Sequence, residues 1–309
     1  MSFRAATSSL RRTTVPACSR SAGVPRRQLH RTTAVLSQAQ AEPQAQHAAG
    51  AGKTNSDAAN DLPYPEFVKL NWFENAFLAA GSAVMSRANP YRGDMIAALG
   101  ETTAGPSLPR LRDIMLESEE GRQILKDRPR VSSSTVDMNQ LATYPEGSLG
   151  RAYVTWLERC GVTPDTREPV RYIEDPELAY VMQRYRESHD FYHCITNLPV
   201  SVEYEIALKY FEFANLGLPM TAISALFGPL RLPSEKRARL MNEFIPWALK
   251  CGGGAKSLIS VYWEKRWDQD VEELRRELGV WNAPEARWSK PLTVAKEAAA
   301  KRATFMGVD

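Results

Sequence analysis

From Pro65 to Leu278 apolar side chains recur at intervals of three and four, the period of a helix with one apolar face. The segment after Pro65 repeats Phe67, Leu70, Phe73, Phe77, Ala80 and Val84 at that spacing, and Asn89–Pro90 ends it. A short helix is expected through Asp94–Leu99, stopped by Gly100. Leu108–Leu125 carries Leu111, Ile114, Met115, Ile124 and Leu125 on two pieces joined near Glu120–Gly121. A loop follows from Arg128 to Pro145, then a helix over Tyr153–Cys160 closed by Gly161. Thr163–Asp175 is punctuated by prolines and reads as extended. Pro176, at a first helical turn, opens a long helix stopped before Pro199, and Ser201 caps the next one with Glu203 near its positive end. Further helices are expected from Ser234 to Lys250 and from Leu258 to Leu278. Alternating β-branched runs are nearly absent and no 20–50-residue repeat occurs, so the fold class is all-α.

Charge divides the 309-residue chain. Residues 1–41 hold seven arginines and no acid, leaving 32 basic against 36 acidic residues beyond them. The net charge of +3 therefore belongs to the leader, and nucleic-acid binding loses its compositional support. Arg-rich, acid-free and lacking an apolar h-region, residues 1–36 read as a mitochondrial transit peptide cut near Leu36. Residues 37–62, rich in Gln, Ala, Gly and Asn, read as a disordered linker, and residues 63–309 as one helical domain. Cys160, Cys194 and Cys251 remain after the leader's Cys18, unpaired by any motif, so disulfides are not expected. No apolar stretch is long enough to span a bilayer. The uncharged run Phe213–Leu230, with Leu216, Leu218, Met220, Ile223, Leu226 and Phe227, is a candidate for membrane contact or lipid-tail entry, and equally an ordinary core turn.

The domain's two histidines, His189 and His193, stand four apart on one expected helix, close enough to hold one metal between them. Asp190 flanks the first, and Glu205 follows the Pro199 break on the second turn of the next helix, which a hairpin brings alongside. Polar contacts alone are the plainer reading: Asp190 four after Arg186, Glu205 four before Lys209, and Cys194 as packing. His-Asp-x-x-His differs from the zinc-protease pattern by an aspartate in place of the general base. A phosphohydrolase of the His-Asp type needs more histidines than the chain has.

HDFYHCITNLPVSVEYE resembles the HDxxHx(11)E signature of the coenzyme Q (ubiquinone) biosynthesis protein number four family. NPYRGDMIAALGETTAG, RPRVSSSTVDMNQL, PEGSLGRAYVTWL, DPELAYVMQRYRESHD, ALKYFEFANLGLPM and FGPLRL extend the resemblance from about Pro65 to Leu278. It implies zinc on His189, Asp190, His193 and Glu205, at the matrix face of the mitochondrial inner membrane. It further implies a carboxy-lyase acting on 4-hydroxy-3-methoxy-5-polyprenylbenzoate and giving 2-methoxy-6-polyprenylphenol, and a partner and organiser of the other pathway enzymes. In such a lyase either Asp190 or Glu205 is the labile ligand or the coordination expands, and a carboxyl group near the metal delivers the proton. The alternative is a polyprenyl-lipid-binding scaffold with a structural zinc.

Overall fold

The computed structural model describes residues 63–89 and 92–284; the expected transit peptide and linker, and residues 285–309, lie outside the described residues. Twelve helices succeed one another among the described residues: α1 Trp72–Ala88, α2 Gly93–Ala104, α3 Leu108–Glu117, α4 Glu119–Asp127, α5 Met138–Leu141, α6 Leu149–Cys160, α7 Pro176–Thr196, α8 Val202–Leu216, α9 Pro219–Phe227, α10 Ser234–Arg239, α11 Ile245–Gly254 and α12 Val271–Leu278. No strand occurs among these residues, only an isolated bridge between Ser148 and Asp270. The all-α expectation holds.

Local chemistry sets the ends. Side chains of Asn71, Ser118, Asp137, Ser148, Asp175 and Asp270 accept hydrogen bonds from the first turns of the helices they precede. Asn71 forms a full capping box with Glu74. Left-handed residues close α4, α6, α7, α8 and α12 at Arg128, Gly161, Asn197, Gly217 and Gly279. Ser201 occupies the cap position of α8 without a side-chain cap bond.

The core is organised around α7, whose residues Ala179–Thr196 are all buried. A helix buried all round is ordinarily apolar, yet this one carries charges, each with a partner. Arg184 pairs with Glu264 at 2.5 Å, Arg186 with Glu101 at 2.6 Å and Glu187 with Arg130 at 2.7 Å. Helices α3 and α6 pack on α7, while α8 packs on α9 and α11. The α8–α11 approach is close enough that a Cβ on Gly252 would stand 2.4 Å from the Phe211 carbonyl oxygen. Only glycine fits there.

Several boundaries differ from expectation: the helix expected after Pro65 begins only at Trp72, α5 interrupts the expected Arg128–Pro145 loop, and α6 begins at Leu149. Gly100 does not end a helix; it lies within α2, where a Cβ would meet Met220 and Met182 at 2.6 and 2.7 Å. The α3–α4 break falls at Ser118, which caps α4. The Ser234–Lys250 helix is divided by a π-helical segment, Leu240–Phe244, because Pro246 gives no N–H and pushes away the carbonyl four residues earlier. Leu258–Leu278 is helical only over Val271–Leu278. Before it, the consecutive buried residues Leu258–Trp263 include short 3-10 turns, and the first, Leu258–Ser260, packs against α3, α4, α7 and α8.

The apolar stripe of α1 does not face the core. Phe73, Phe77 and Val84 are exposed, with Trp72 beside them at 82%, while Ser82 is the helix's one buried residue. The Phe213–Leu230 run splits. Leu216, Leu218, Met220 and Ala225 are buried, whereas Phe213, Leu226, Phe227 and Leu230 are exposed.

Candidate metal centre

His189 and His193 sit one turn apart on α7 with ring centroids 4.8 Å apart and planes nearly perpendicular. Asn197 turns the chain in the left-handed conformation and α8 returns alongside, so Glu205 faces both rings. Its Oε1 lies 3.1 Å from His193 Nε2 and its Oε2 3.4 Å from His189 Nε2. One ligand atom from each of the three residues falls within 4.8 Å of the others. Both rings are buried, while the Glu205 side chain is 34% exposed. The group is therefore open to solvent on the glutamate side.

The far nitrogens are held. His189 Nδ1 is 2.5 Å from Glu212 Oε1, and His193 Nδ1 is 3.2 Å from the Leu198 carbonyl oxygen. That carbonyl also accepts from Trp156 Nε1 at 2.9 Å, and the Trp156 ring stacks on His193. A ring nitrogen fixed on a carboxylate or carbonyl orients the other toward a metal and raises its basicity. His193 Nε2 is buried and faces the Glu205 carboxylate. Two buried imidazoles and one carboxylate with their ligand atoms this close together fit a zinc-type ion.

Glu212 is the residue the sequence reading missed. It is fully buried and receives Lys209 Nζ at 2.6 Å and the Tyr185 hydroxyl at 2.8 Å. Burial pushes its carboxyl up, but Lys209 and His189 outweigh burial and hold it at about 2. At His189, burial and then Lys209 favour the neutral ring. Glu212 and Glu205 outweigh them, and the net shift is upward. Glu205, opposed by burial but facing His193 and His189, lies well below the usual carboxylate range. The spacing Glu205, Lys209, Glu212 on one helical face was the available signal.

Asp190 is buried, but its Oδ1 is bonded to Arg167 from the Pro-rich stretch before α7. The plainer pairing with Arg186 does not form: Arg186 is taken by Glu101 and by the carbonyls of Ala97 and Glu168. Lys209 likewise pairs with Glu212 rather than Glu205. Cys160, Cys194 and Cys251 are free and buried. The structure thus brings His189, His193 and Glu205 together and sets Asp190 on their edge, through Arg167.

Fold and site together define a helical protein with a buried His-His-carboxylate group reached from solvent. The family described as coenzyme Q (ubiquinone) biosynthesis protein Coq4 matches residues 64–284, and this chain belongs to it. "Ubiquinone biosynthesis protein COQ4, mitochondrial" of Laccaria bicolor is 71% identical over 241 residues, 78% of this chain and 81% of the relative. The like-named protein of Aspergillus terreus is 55% identical over 225 residues, covering 72% of this chain and 78% of its own. A crystal structure from Nostoc punctiforme PCC 73102, described as a candidate ubiquinone biosynthesis protein, shares the fold at 22% identity and a TM-score of 0.54. It aligns with 66% of this chain and 98% of its own.

Replacing Glu212 with Gln keeps the shape but removes the charge behind His189. Metal affinity, measured by competition with a chelator, is expected to fall about 10- to 100-fold, the usual cost of losing such a partner. An unchanged affinity would show that Glu212 only packs.

Proposed function

We propose that this protein, in ubiquinone biosynthesis, removes the ring carboxylate of 4-hydroxy-3-methoxy-5-polyprenylbenzoate, leaving 2-methoxy-6-polyprenylphenol. The observation that carries the reading is the convergence of His189, His193 and Glu205 on a gap that opens to solvent through Glu205. These residues would hold zinc. Asp190, whose Oδ1 is committed to Arg167, would complete the set as a fourth ligand. Bound there, the metal supplies Lewis acidity for the acid's carboxylate or phenolate oxygen.

The chain's own part is to bind, orient and protonate. The para-hydroxyl makes the ring electron-rich, so the carbon bearing the carboxylate accepts a proton that Asp190 or Glu205 first takes up from solvent and then passes on. The ring–carboxylate bond then breaks, carbon dioxide leaves, and the bonding pair restores aromaticity. His189 and His193, fixed on Glu212 and the Leu198 carbonyl, keep this geometry without reorganisation. The test incubates the purified zinc-loaded protein with the prenylated benzoate and follows carbon dioxide release with and without chelator. Release that a chelator abolishes supports the lyase. No release places the scaffold reading ahead.

The proposal extends to the matrix side of the inner membrane and to organisation of the other pathway enzymes. No described helix is long and apolar enough to cross a membrane. Trp72, Phe73, Phe77 and Val84 on α1, and Leu226, Phe227 and Leu230 at the end of α9, instead lie exposed. Arg231 ties the two regions by donating to the Ser86 carbonyl at 2.8 Å. Exposed apolar patches of this kind suit a bilayer surface. Each large side chain is worth about 1.5–3 kcal/mol when buried. Phe73→Glu with Phe77→Glu, or Leu226→Glu with Phe227→Glu, is therefore expected to weaken co-sedimentation with anionic vesicles at least tenfold. Unchanged sedimentation in both would move the contact elsewhere.

A further inference from the structure

Near the His-His-Glu group lie two buried polar atoms without partners, Arg167 Nε and the Tyr153 hydroxyl. Buried polar groups are almost always hydrogen-bonded, so orphans gathered at one place mark a missing partner. Both belong to the surroundings of Asp190. Arg167 Nη2 donates to Asp190 Oδ1, and the Tyr153 ring packs at 4.6 Å on Phe191, the next residue. Arg167 and Asp190 both act electrostatically on the Tyr153 hydroxyl. Two donors without partners, Arg167 Nε and the Tyr153 hydroxyl, thus belong to the electrostatic surroundings of Asp190.

Access separates these groups. Asp190, His189, His193 and Tyr153 are buried, whereas the side chains of Arg167 and Glu205 remain 31% and 34% exposed. A ligand arriving from solvent meets a guanidinium and a glutamate at the entrance. Glutamate repels an anion. The guanidinium has five N–H groups in a rigid fork, and Asp190 occupies one edge of it. The remaining donors match the two oxygens of a carboxylate.

We propose that Arg167 is an anion subsite of this centre, binding the carboxylate of an arene acid, with Asp190 holding the guanidinium in place. The inference rests on the proposed lyase reading for the identity of the acid, and it adds a determinant of specificity. The phenol left after carbon dioxide departs has no carboxylate for Arg167, so the subsite favours the acid over the decarboxylated ring. Within this arrangement Tyr153 is a neighbouring donor and His193 Nε2 faces the metal.

The test compares binding of the prenylated benzoate and of the corresponding prenylated phenol to the zinc-loaded protein by calorimetry, in wild type, Arg167→Met and Arg167→Lys. Zinc content and melting temperature are recorded on each preparation. Wild type is expected to prefer the acid, and Arg167→Met to lose at least about tenfold in acid affinity at equal zinc content, with phenol affinity unchanged. Arg167→Lys, which keeps the charge opposite Asp190 but lacks the fork, is expected to recover only part of the preference. It also serves alone if the Met variant does not fold. Equal weakening for acid and phenol, or acid preference retained in both variants, overturns the subsite and makes Arg167 a structural tie. So does a wild type without acid preference. Acid preference that depends on Arg167 in a protein releasing no carbon dioxide keeps the subsite and removes the lyase reading.

Discussion

Elemental analysis of the purified protein is expected to give about one zinc per chain, and His189→Ala and His193→Ala are each expected to lose it. Each alanine removes one imidazole from the ligand set, and the imidazole and carboxylates left behind bind zinc far more weakly. Helicity should survive in both variants, because α7 is anchored elsewhere by Arg184–Glu264, Arg186–Glu101 and Glu187–Arg130. His193→Ala also removes the ring stacked on Trp156, so it should cost more stability than His189→Ala, about 2–4 kcal/mol by analogy with other buried truncations. Acid should strip the metal from the wild type early. In the metal-free protein Glu212 and Glu205 raise the proton affinity of His189 above the usual 6.5, and zinc must displace that proton. Affinity therefore falls as pH drops through the raised value, beginning above 6.5. Without metal the signs are opposed. The His189 contribution is fully present below its unfolded pKa and lost as pH rises through the folded one. The Glu212 contribution, with the carboxyl near 2, is present above the ordinary glutamate range and fades as pH falls toward 2. Zinc retained in full by both alanine variants would remove the site assignment.

The helices were legible because their signals are local. Pro176 and Asn197 bound α7, and Asp175 caps it; spacing then puts His189 and His193 on one face without knowledge of the fold. Glu205 was legible because a five-residue connection between α7 and α8 leaves the chain nowhere to go but back. Arg167 was not legible: it comes from a segment with neither helical nor strand period, and only tertiary folding brings it to Asp190. Glu212 failed for a different reason. Its face was readable, but Lys209 three positions before it offered an adequate surface partner, and nothing in the sequence tells a buried carboxylate from an exposed one. The exposed stripe of α1 is the clearest limit. Phe73, Phe77 and Val84 recur at core spacing, yet periodicity reports that a face is apolar and not what covers it. The Arg186 pairing shows the same limit from the polar side, since a carboxylate four residues away loses to Glu101, which is 85 residues distant in sequence.

Asp190→Asn separates the roles this geometry offers its carboxylate. The amide keeps the shape and an acceptor oxygen for Arg167, but it is a neutral and poorer donor to a metal. If Asp190 completes the zinc coordination, metal affinity and carbon dioxide release fall together. If it only steadies Arg167, zinc stays at one per chain while the preference for the arene acid weakens. If it delivers the proton, zinc and acid binding both persist and release alone is lost. The expected result is the first, accompanied by some loss of acid preference, because the same carboxylate faces Arg167 on one oxygen. Arg186→Met is the control. Its guanidinium is buried against Glu101 and two carbonyls rather than Asp190, so zinc affinity should hold while stability drops by about 3–5 kcal/mol, the usual cost of breaking one side of a buried pair. An Asp190→Asn preparation carrying full zinc at wild-type affinity would take Asp190 out of the ligand set and leave it to Arg167.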